Sequence, residues 1–140
     1  MEQPNPIELQ ALLKQQADKV MSKIPLLGAV SWLMMQQGST RHTLLSELEW
    51  RVMPPLMLDQ AKLYMKDKMP IAYVSWAYLS EEVAARYQQG PHHLAPSDWK
   101  SGNQPWLIDL FAPYGGAADV LQSLKDEQFV GRELHRLQIT

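Results

Sequence analysis

The chain has 140 residues, a hydrophobic content of 46%, a charged content of 20% and a formal net charge of −2. These values are typical of one folded domain, and the weak charge gives no electrostatic reason to expect nucleic acid as a partner. The absence of cysteine excludes disulfides, thiolate nucleophiles and cysteine-bound zinc. The first residues lack a signal-peptide pattern and the longest apolar run, at 24–35, is too short to span a bilayer, so we expect a cytoplasmic protein.

Three helices are predicted before the first strand. A capping-box pattern at Asn5 begins an amphipathic helix, which we predict as an N-terminal extension over residues 5–23. A second, more uniformly apolar helix is expected over 25–37, and a third over 44–53, where Pro54 ends it. The sequence leaves open whether the extension packs on the domain, pairs with a second copy in a homodimer or docks another partner.

The second half of the chain alternates strands with helices. Hydrophobic periodicity and turn residues predict these elements in order: strand 61–66, strand 71–79, helix 81–87, loop 88–100, strand 106–112, helix 117–124 and strand 134–139. This order indicates an α/β or α+β domain over residues 1–140, with a mostly antiparallel central sheet flanked by helices.

Asp109 lies in the middle of the apolar strand predicted at 106–112. Strict alternation would place its side chain on the same face as Leu107 and Phe111. A buried carboxylate is costly unless a charge or a hydrogen-bond donor partners it. Asp109 is therefore either a structural hydrogen-bond hub or half of a chemical pair, and the residues alone leave both interpretations open.

Four sequence blocks occur in order along the chain: LGAVSWL at 27–33, STRH at 39–42, PIAYVSWA at 70–77 and WKSGNQPWLIDLFAPYG at 99–115. Together they resemble the RTX toxin-activating lysine acyltransferases, the family of the hemolysin activator. The resemblance extends from about residue 26 to residue 136. Longer members of that family continue beyond the position of Thr140, so the resemblance is to a short member.

The resemblance implies a fold similar to that of GCN5-type N-acetyltransferases and an enzyme that moves a fatty acyl group from acyl carrier protein to internal lysines of an RTX protoxin. It assigns His42 and Asp109 as catalytic residues and Ser39 as a supporting residue. Asp109 would orient His42, which would then either take a proton from the target lysine or first accept the acyl group itself.

Other motifs narrow the choice of cofactor. The spaced glycine pattern of coenzyme-A-dependent N-acetyltransferases is absent, which favours a donor recognised through its carrier protein and no tightly bound cofactor. The adjacent His92 and His93 have no second ligand cluster at metal-binding spacing, so we expect no metal. An alternative function is a non-catalytic module on the same fold that binds acyl carrier protein or a toxin segment.

Overall fold

The computed structural model describes residues 5–137. Its helices and strands, in chain order, are α1 (Pro6–Met35), α2 (Leu48–Arg51), α3 (Met53–Met57), β1 (Ala61–Lys66), β2 (Met69–Leu79), α4 (Glu81–Gln89), β3 (Gln104–Phe111) and α5 (Ala117–Gln128). The strands form one antiparallel sheet in the order β1-β2-β3. The predicted α+β class with an antiparallel sheet is confirmed, and the division into a domain over 1–140 with an extension at 5–23 stays a prediction.

The first helix, α1, is 30 residues long and continues through Pro25. Asn5 and Glu8 form the predicted capping box at its start. Two separate helices were predicted because proline removes one backbone donor and usually ends a helix. That prediction is wrong, since the segment after Pro25 packs Val30 and Leu33 into the core and this packing holds the helical backbone in place.

The segment between α1 and β1 is more broken than the single predicted helix over 44–53. A 3₁₀ turn, Leu45–Glu47, leads into α2, and α3 then begins at Met53 with a proline in its first turn. The sequence also offers the Thr43 hydroxyl as a cap for the predicted helix, and this is wrong, because Leu44 precedes the 3₁₀ turn and no side chain caps it. Pro54 lies in the first turn of α3 and does not end a helix, since a proline in the first turn has no intrahelical hydrogen bond to lose.

The β1–β2 hairpin places the central strand β2 in the core. Its two turn residues, Asp67 and Lys68, have φ angles of 49° and 66°, which is the left-handed backbone that a tight two-residue hairpin requires. The bounds predicted for β1 are confirmed, whereas β2 begins two residues earlier than the predicted 71–79.

A β-bulge in β3 changes which residues face each other. Ser75 pairs with Asp109 and the next residue of β2 pairs with Leu107, so Ile108 is the extra residue. As a result Leu107 packs with Leu124 on one face of the sheet, whereas Phe111 packs with Tyr73 on the other. The predicted common face for Leu107 and Phe111 is therefore wrong, because the inserted residue shifts the alternation.

The remaining elements surround these two faces. α4 begins after Ser80, whose hydroxyl accepts a hydrogen bond from the backbone N–H of Val83. Both α4 and α5 extend beyond their predicted ends, and the loop predicted at 88–100 contains a 3₁₀ turn, Pro96–Trp99. His135 forms a single bridge to Trp106 in place of the predicted strand 134–139, and residues 138 and 139 lie outside the described chain.

Candidate active site

Asp109 forms a two-point ion pair with Arg51, at the end of α2. The Nε and Nη2 atoms of Arg51 donate to the two carboxylate oxygens at 2.9 Å each. The side chain of Asp109 is 8% exposed and that of Arg51 is 23% exposed. Paired N–H···O bonds of this kind fix both position and orientation, so α2 and β3 are held together at this point.

The electrostatics of the pair combine burial with charge. Burial raises the pKa of the Asp109 carboxyl above its ordinary value, and the hydrogen bonds and charge of Arg51 oppose that rise. Burial alone would lower the pKa of Arg51, but its hydrogen bonds to Asp109 raise it. The raised pKa of Asp109 favours its neutral form, whereas the raised pKa of Arg51 favours its charged form. The two-point geometry favours the ionised pair, because protonation would turn one of the two accepting oxygens of Asp109 into a donor.

The pair lies in the wall of an open cavity of about 490 Å³. The wall is part aromatic, part aliphatic and part charged, and its residues are Trp50, Arg51, Tyr87, His92, His93, Leu107, Ile108, Asp109, Arg136 and Leu137. Burial, followed by the charge of Asp109, raises the pKa of Tyr87, so its hydroxyl stays neutral. A concave apolar site with a few convergent charged groups is the usual form of a ligand or substrate site.

Two histidines reach this cavity from the loop after α4, and they are held differently. The ring of His93 stacks on Trp50 with the centroids 4.6 Å apart. Its Nε2 lies 3.8 Å from an oxygen of Glu47 that also accepts a hydrogen bond from the indole N–H of Trp50. His92 instead uses its Nδ1 in a 2.6 Å contact with the backbone carbonyl of Tyr87.

His42 and Ser39 lie in the turns at 36–42 that follow α1, and both are exposed. Neither lines the cavity around Asp109, and both oxygens of Asp109 bond to Arg51. The turn is held by Thr40, whose buried hydroxyl donates to the Met34 carbonyl at 2.7 Å. The pairing of His42 with Asp109 therefore stays a prediction, which this structure does not display.

A smaller cavity of about 270 Å³ lies beside this turn. It is lined by the end of α1 and the residues that follow, namely Ser31, Met34, Met35, Thr40, Arg41, Thr43, Leu45 and Leu48. The structure thus separates the two parts of the predicted site, with Asp109 in one cavity and the neighbours of His42 around another.

No sequence pattern indicates Arg51 as the partner of Asp109. The two residues are 58 positions apart, and a single arginine before two prolines matches no catalytic pattern. The pair of histidines at 92 and 93 was visible, but adjacency alone predicted only solvated side chains. Residues 5–137 contain no group of three metal-ligating side chains and no helix that combines the length and hydropathy needed to cross a membrane.

Comparison with known proteins identifies the family. The sequence pattern described as "HlyC: RTX toxin acyltransferase family" matches residues 19–140. The leukotoxin-activating lysine-acyltransferase LktC of a Pasteurella haemolytica-like species is 32% identical over 112 residues, which cover 80% of this chain and 68% of that relative. The leukotoxin-activating lysine-acyltransferase LtxC of Aggregatibacter actinomycetemcomitans is 40% identical over 90 residues, which cover 64% of this chain and 54% of the relative.

A third relative is the protein-lysine myristoyltransferase HlyC of Escherichia coli, which is 37% identical over 92 residues, or 66% of this chain and 54% of the relative. This chain thus spans between about half and two thirds of the length of these relatives, from 54% to 68%. Because the family pattern matches most of the chain, and these relatives share 32% to 40% of the aligned residues, the chain belongs to the RTX toxin acyltransferase family.

Proposed function

We propose that this chain is a protein-lysine acyltransferase that moves a fatty acyl group from acyl carrier protein to internal lysines of an RTX protoxin and so activates it. The observation on which the proposal rests is the cavity at Asp109, where an oriented arginine and two histidines meet in a member of this family. The relatives reported above are leukotoxin-activating lysine-acyltransferases and a protein-lysine myristoyltransferase, and their names support the same reaction class.

The chemistry of the cavity suits the attack of an amine on a thioester. A lysine amine is mostly protonated near neutral pH, so the reaction needs a group that accepts its proton. The carbonyl oxygen of the thioester gains negative charge during the attack, and a preorganised donor stabilises that charge. Arg51 is held rigidly by Asp109 and its Nη1 has no hydrogen-bond acceptor among residues 5–137, so this nitrogen is suited to that role.

The resemblance assigns proton transfer to His42 with Ser39 in support, and both assignments remain part of this proposal's test. His42 acts in the cavity only if the turn at 36–42 or the bound substrate brings it there, since it does not line the cavity in the structure. His42→Ala, measured for acylation in a protein that is still folded, decides its role.

The partners follow from the proposed reaction. The acyl donor is acyl–acyl carrier protein, no tightly bound cofactor is needed, and the protoxin is modified in the bacterial cytoplasm. The exposed first half of α1, with Leu12 and Leu13 on its surface, offers a place for a second copy in a homodimer.

Mass spectrometry of an RTX protoxin co-expressed with this chain tests the proposal. A fatty acyl increment on protoxin lysines is expected, and it should be absent when the chain is left out. The paired control is the chain with Arg51 and Asp109 both replaced, which removes the ion pair of the cavity. Unmodified protoxin in the presence of abundant folded protein would contradict an enzymatic function.

The second candidate function is a non-catalytic module that binds acyl carrier protein or a toxin segment. The observation that favours it is that both carboxylate oxygens of Asp109 accept hydrogen bonds from Arg51. The carboxylate thus orients an arginine and not a histidine. A stable complex with unmodified protoxin, isolated from the same co-expression, would support the module.

A further inference from the structure

The His93 ring is held by two neighbours from the segment that also contains Arg51. Its stacking on Trp50, at a centroid separation of 4.6 Å and an interplanar angle of 28°, fixes the plane of the ring. Trp50 is itself fixed, because its indole N–H donates to Glu47 at 2.6 Å. The same Glu47 oxygen lies 3.8 Å from Nε2 of His93, a separation that orients the ring by charge without a direct hydrogen bond.

This arrangement leaves one ring nitrogen of His93 available. A carboxylate facing Nε2 favours the tautomer with the proton on that nitrogen, so the lone pair lies on Nδ1. No residue in the described range 5–137 bonds to Nδ1, and the side chain of His93 is 54% exposed. A substrate amine that enters the cavity can therefore reach it.

We propose that His93 is the catalytic residue that accepts the proton of the lysine amine, with Glu47 and Trp50 as positioning residues. This inference rests on the proposed lysine acylation and assigns the proton transfer to a residue of the Asp109 cavity. Arg51, in the same wall, supplies the donor for the thioester oxygen.

The step balances as follows. The lysine ammonium first loses one proton to solvent, and the amine nitrogen then bonds to the carbonyl carbon of the thioester. His93 takes the second proton from that nitrogen as the bond forms, and the carbon–sulfur bond breaks. The sulfur leaves as a thiolate, which takes the proton back from His93, so the products are an amide on lysine, the thiol of the carrier protein and one proton in solvent.

His92 provides a matched control. It adjoins His93 in sequence and reaches the same cavity, but its Nδ1 is occupied by the carbonyl oxygen of Tyr87. A general loss of loop structure would lower the rates of His92→Gln and His93→Gln alike, whereas a loss of proton transfer lowers the rate of the second variant far more.

The experiment uses myristoyl–acyl carrier protein as donor and a purified RTX protoxin as acceptor, and measures the rate of lysine acylation by mass spectrometry. Because proton transfer by a positioned side chain contributes about 10²–10⁴-fold, His93→Gln should lower kcat by that factor, and His92→Gln should lower it far less. Added imidazole should restore part of the activity of His93→Ala, which a structural role would not allow.

The positioning role of Glu47 has its own measurement. Glu47→Gln should lower kcat in the presence of His93 and have no further effect in a His93→Ala background rescued by imidazole, because a diffusing imidazole is not oriented by Glu47. An equal effect in both backgrounds would overturn the positioning role.

Two outcomes separate this inference from the function on which it rests. If the wild-type chain acylates the protoxin while His93→Gln keeps its rate and His42→Ala loses it, His93 is not the proton acceptor and the proposed function stands. If the wild-type chain forms no acyl-lysine with these substrates, the proposed function fails and this inference fails with it.

Discussion

The turn at 36–42 and the helix α2 are close in sequence, yet their polar side chains have different surroundings. The turn exposes His42 and Ser39 and buries Thr40, whose hydroxyl bonds to the backbone of α1. α2 instead directs Arg51 onto the buried Asp109 of the sheet. The residues that a sequence motif makes prominent are therefore exposed here, and the group that meets the buried carboxylate comes from a segment without a motif.

The physical reason is that a buried charge selects its partner by geometry. Asp109 is fixed on β3, opposite Ser75 of the central strand, and Arg51 at the end of α2 supplies a long cationic side chain within reach. An ionised carboxylate in this position needs such a partner, whereas an exposed turn does not need a histidine. The contact of Arg51 with Asp109 is therefore required by burial, whereas no buried group requires a contact from the exposed His42.

The largest expected effect is on activity, in the double variant Arg51→Met with Asp109→Leu. A buried ion pair replaced by apolar residues is often nearly neutral for stability, so the protein should stay folded. Loss of one preorganised donor typically lowers kcat by about 10²–10³-fold, and acylation should fall at least that far. The rate per folded molecule, measured with circular dichroism as the test of folding, checks this.

A control for the double variant removes an ion pair elsewhere. Nζ of Lys23 and Oδ1 of Asp59 are 2.7 Å apart and connect α1 to the turn between α3 and β1, outside the cavity lining. Lys23→Met with Asp59→Asn should leave the acylation rate unchanged. An unchanged rate in the Arg51–Asp109 variant as well would make that pair structural and would remove the cavity from the mechanism.

The next effect is on stability, and it separates the two members of the pair. Arg51→Met leaves a buried carboxylate alone and should lower the free energy of unfolding by about 3–5 kcal/mol. Asp109→Asn leaves the partly exposed arginine with a neutral acceptor and should cost less, about 1–3 kcal/mol. Urea unfolding of both variants measures the difference, and equal costs would contradict the unequal burial of the two side chains.

Local rules predicted a large part of the fold. The alternation over 61–66 gave both ends of β1, and the capping box at Asn5 gave the start of α1, because hydrogen bonds and periodicity within a few residues determine these features. The break at Pro25 was predicted and did not occur, since the packing of Val30 and Leu33 outweighs one lost hydrogen bond. Tertiary contacts of this kind are invisible to a local pattern.

The candidate site was predictable only in part. Asp109 stood out because a charged residue in an apolar strand needs a partner, and the structure confirms its burial. Its partner could not be predicted, because Arg51 lies 58 residues away in the sequence. The bulge at Ile108 also moves Leu107 off the face that was expected to contain Asp109. The roles assigned to His42 and Ser39 stay predictions that depend on the resemblance alone.

A smaller effect is expected from pH. Burial raises the pKa of Asp109 above its ordinary value of 3.8, so its carboxyl is harder to ionise in the folded chain than in the unfolded chain. The stability of the wild type relative to the Arg51→Met, Asp109→Leu variant should therefore be highest below the ordinary pKa and fall as the pH rises through the folded pKa. Urea unfolding of the two proteins across this range measures it, and a relative stability that increases with pH would show that Arg51 lowers the pKa instead.

The smallest effects are expected in the turn at 36–42, where Thr40 and Ser39 are adjacent but differently placed. Thr40→Val removes the 2.7 Å hydrogen bond to the Met34 carbonyl at nearly constant volume, and should lower the free energy of unfolding by about 0.5–1.5 kcal/mol. Ser39→Ala changes an exposed side chain and should stay within about 0.5 kcal/mol of the wild type. Thermal unfolding and the acylation rate are measured on both variants, because the two readouts distinguish structure from chemistry. If Ser39→Ala leaves stability unchanged but lowers acylation, the turn contributes to the reaction after all, and the contrast between an exposed turn and a catalytic cavity no longer holds.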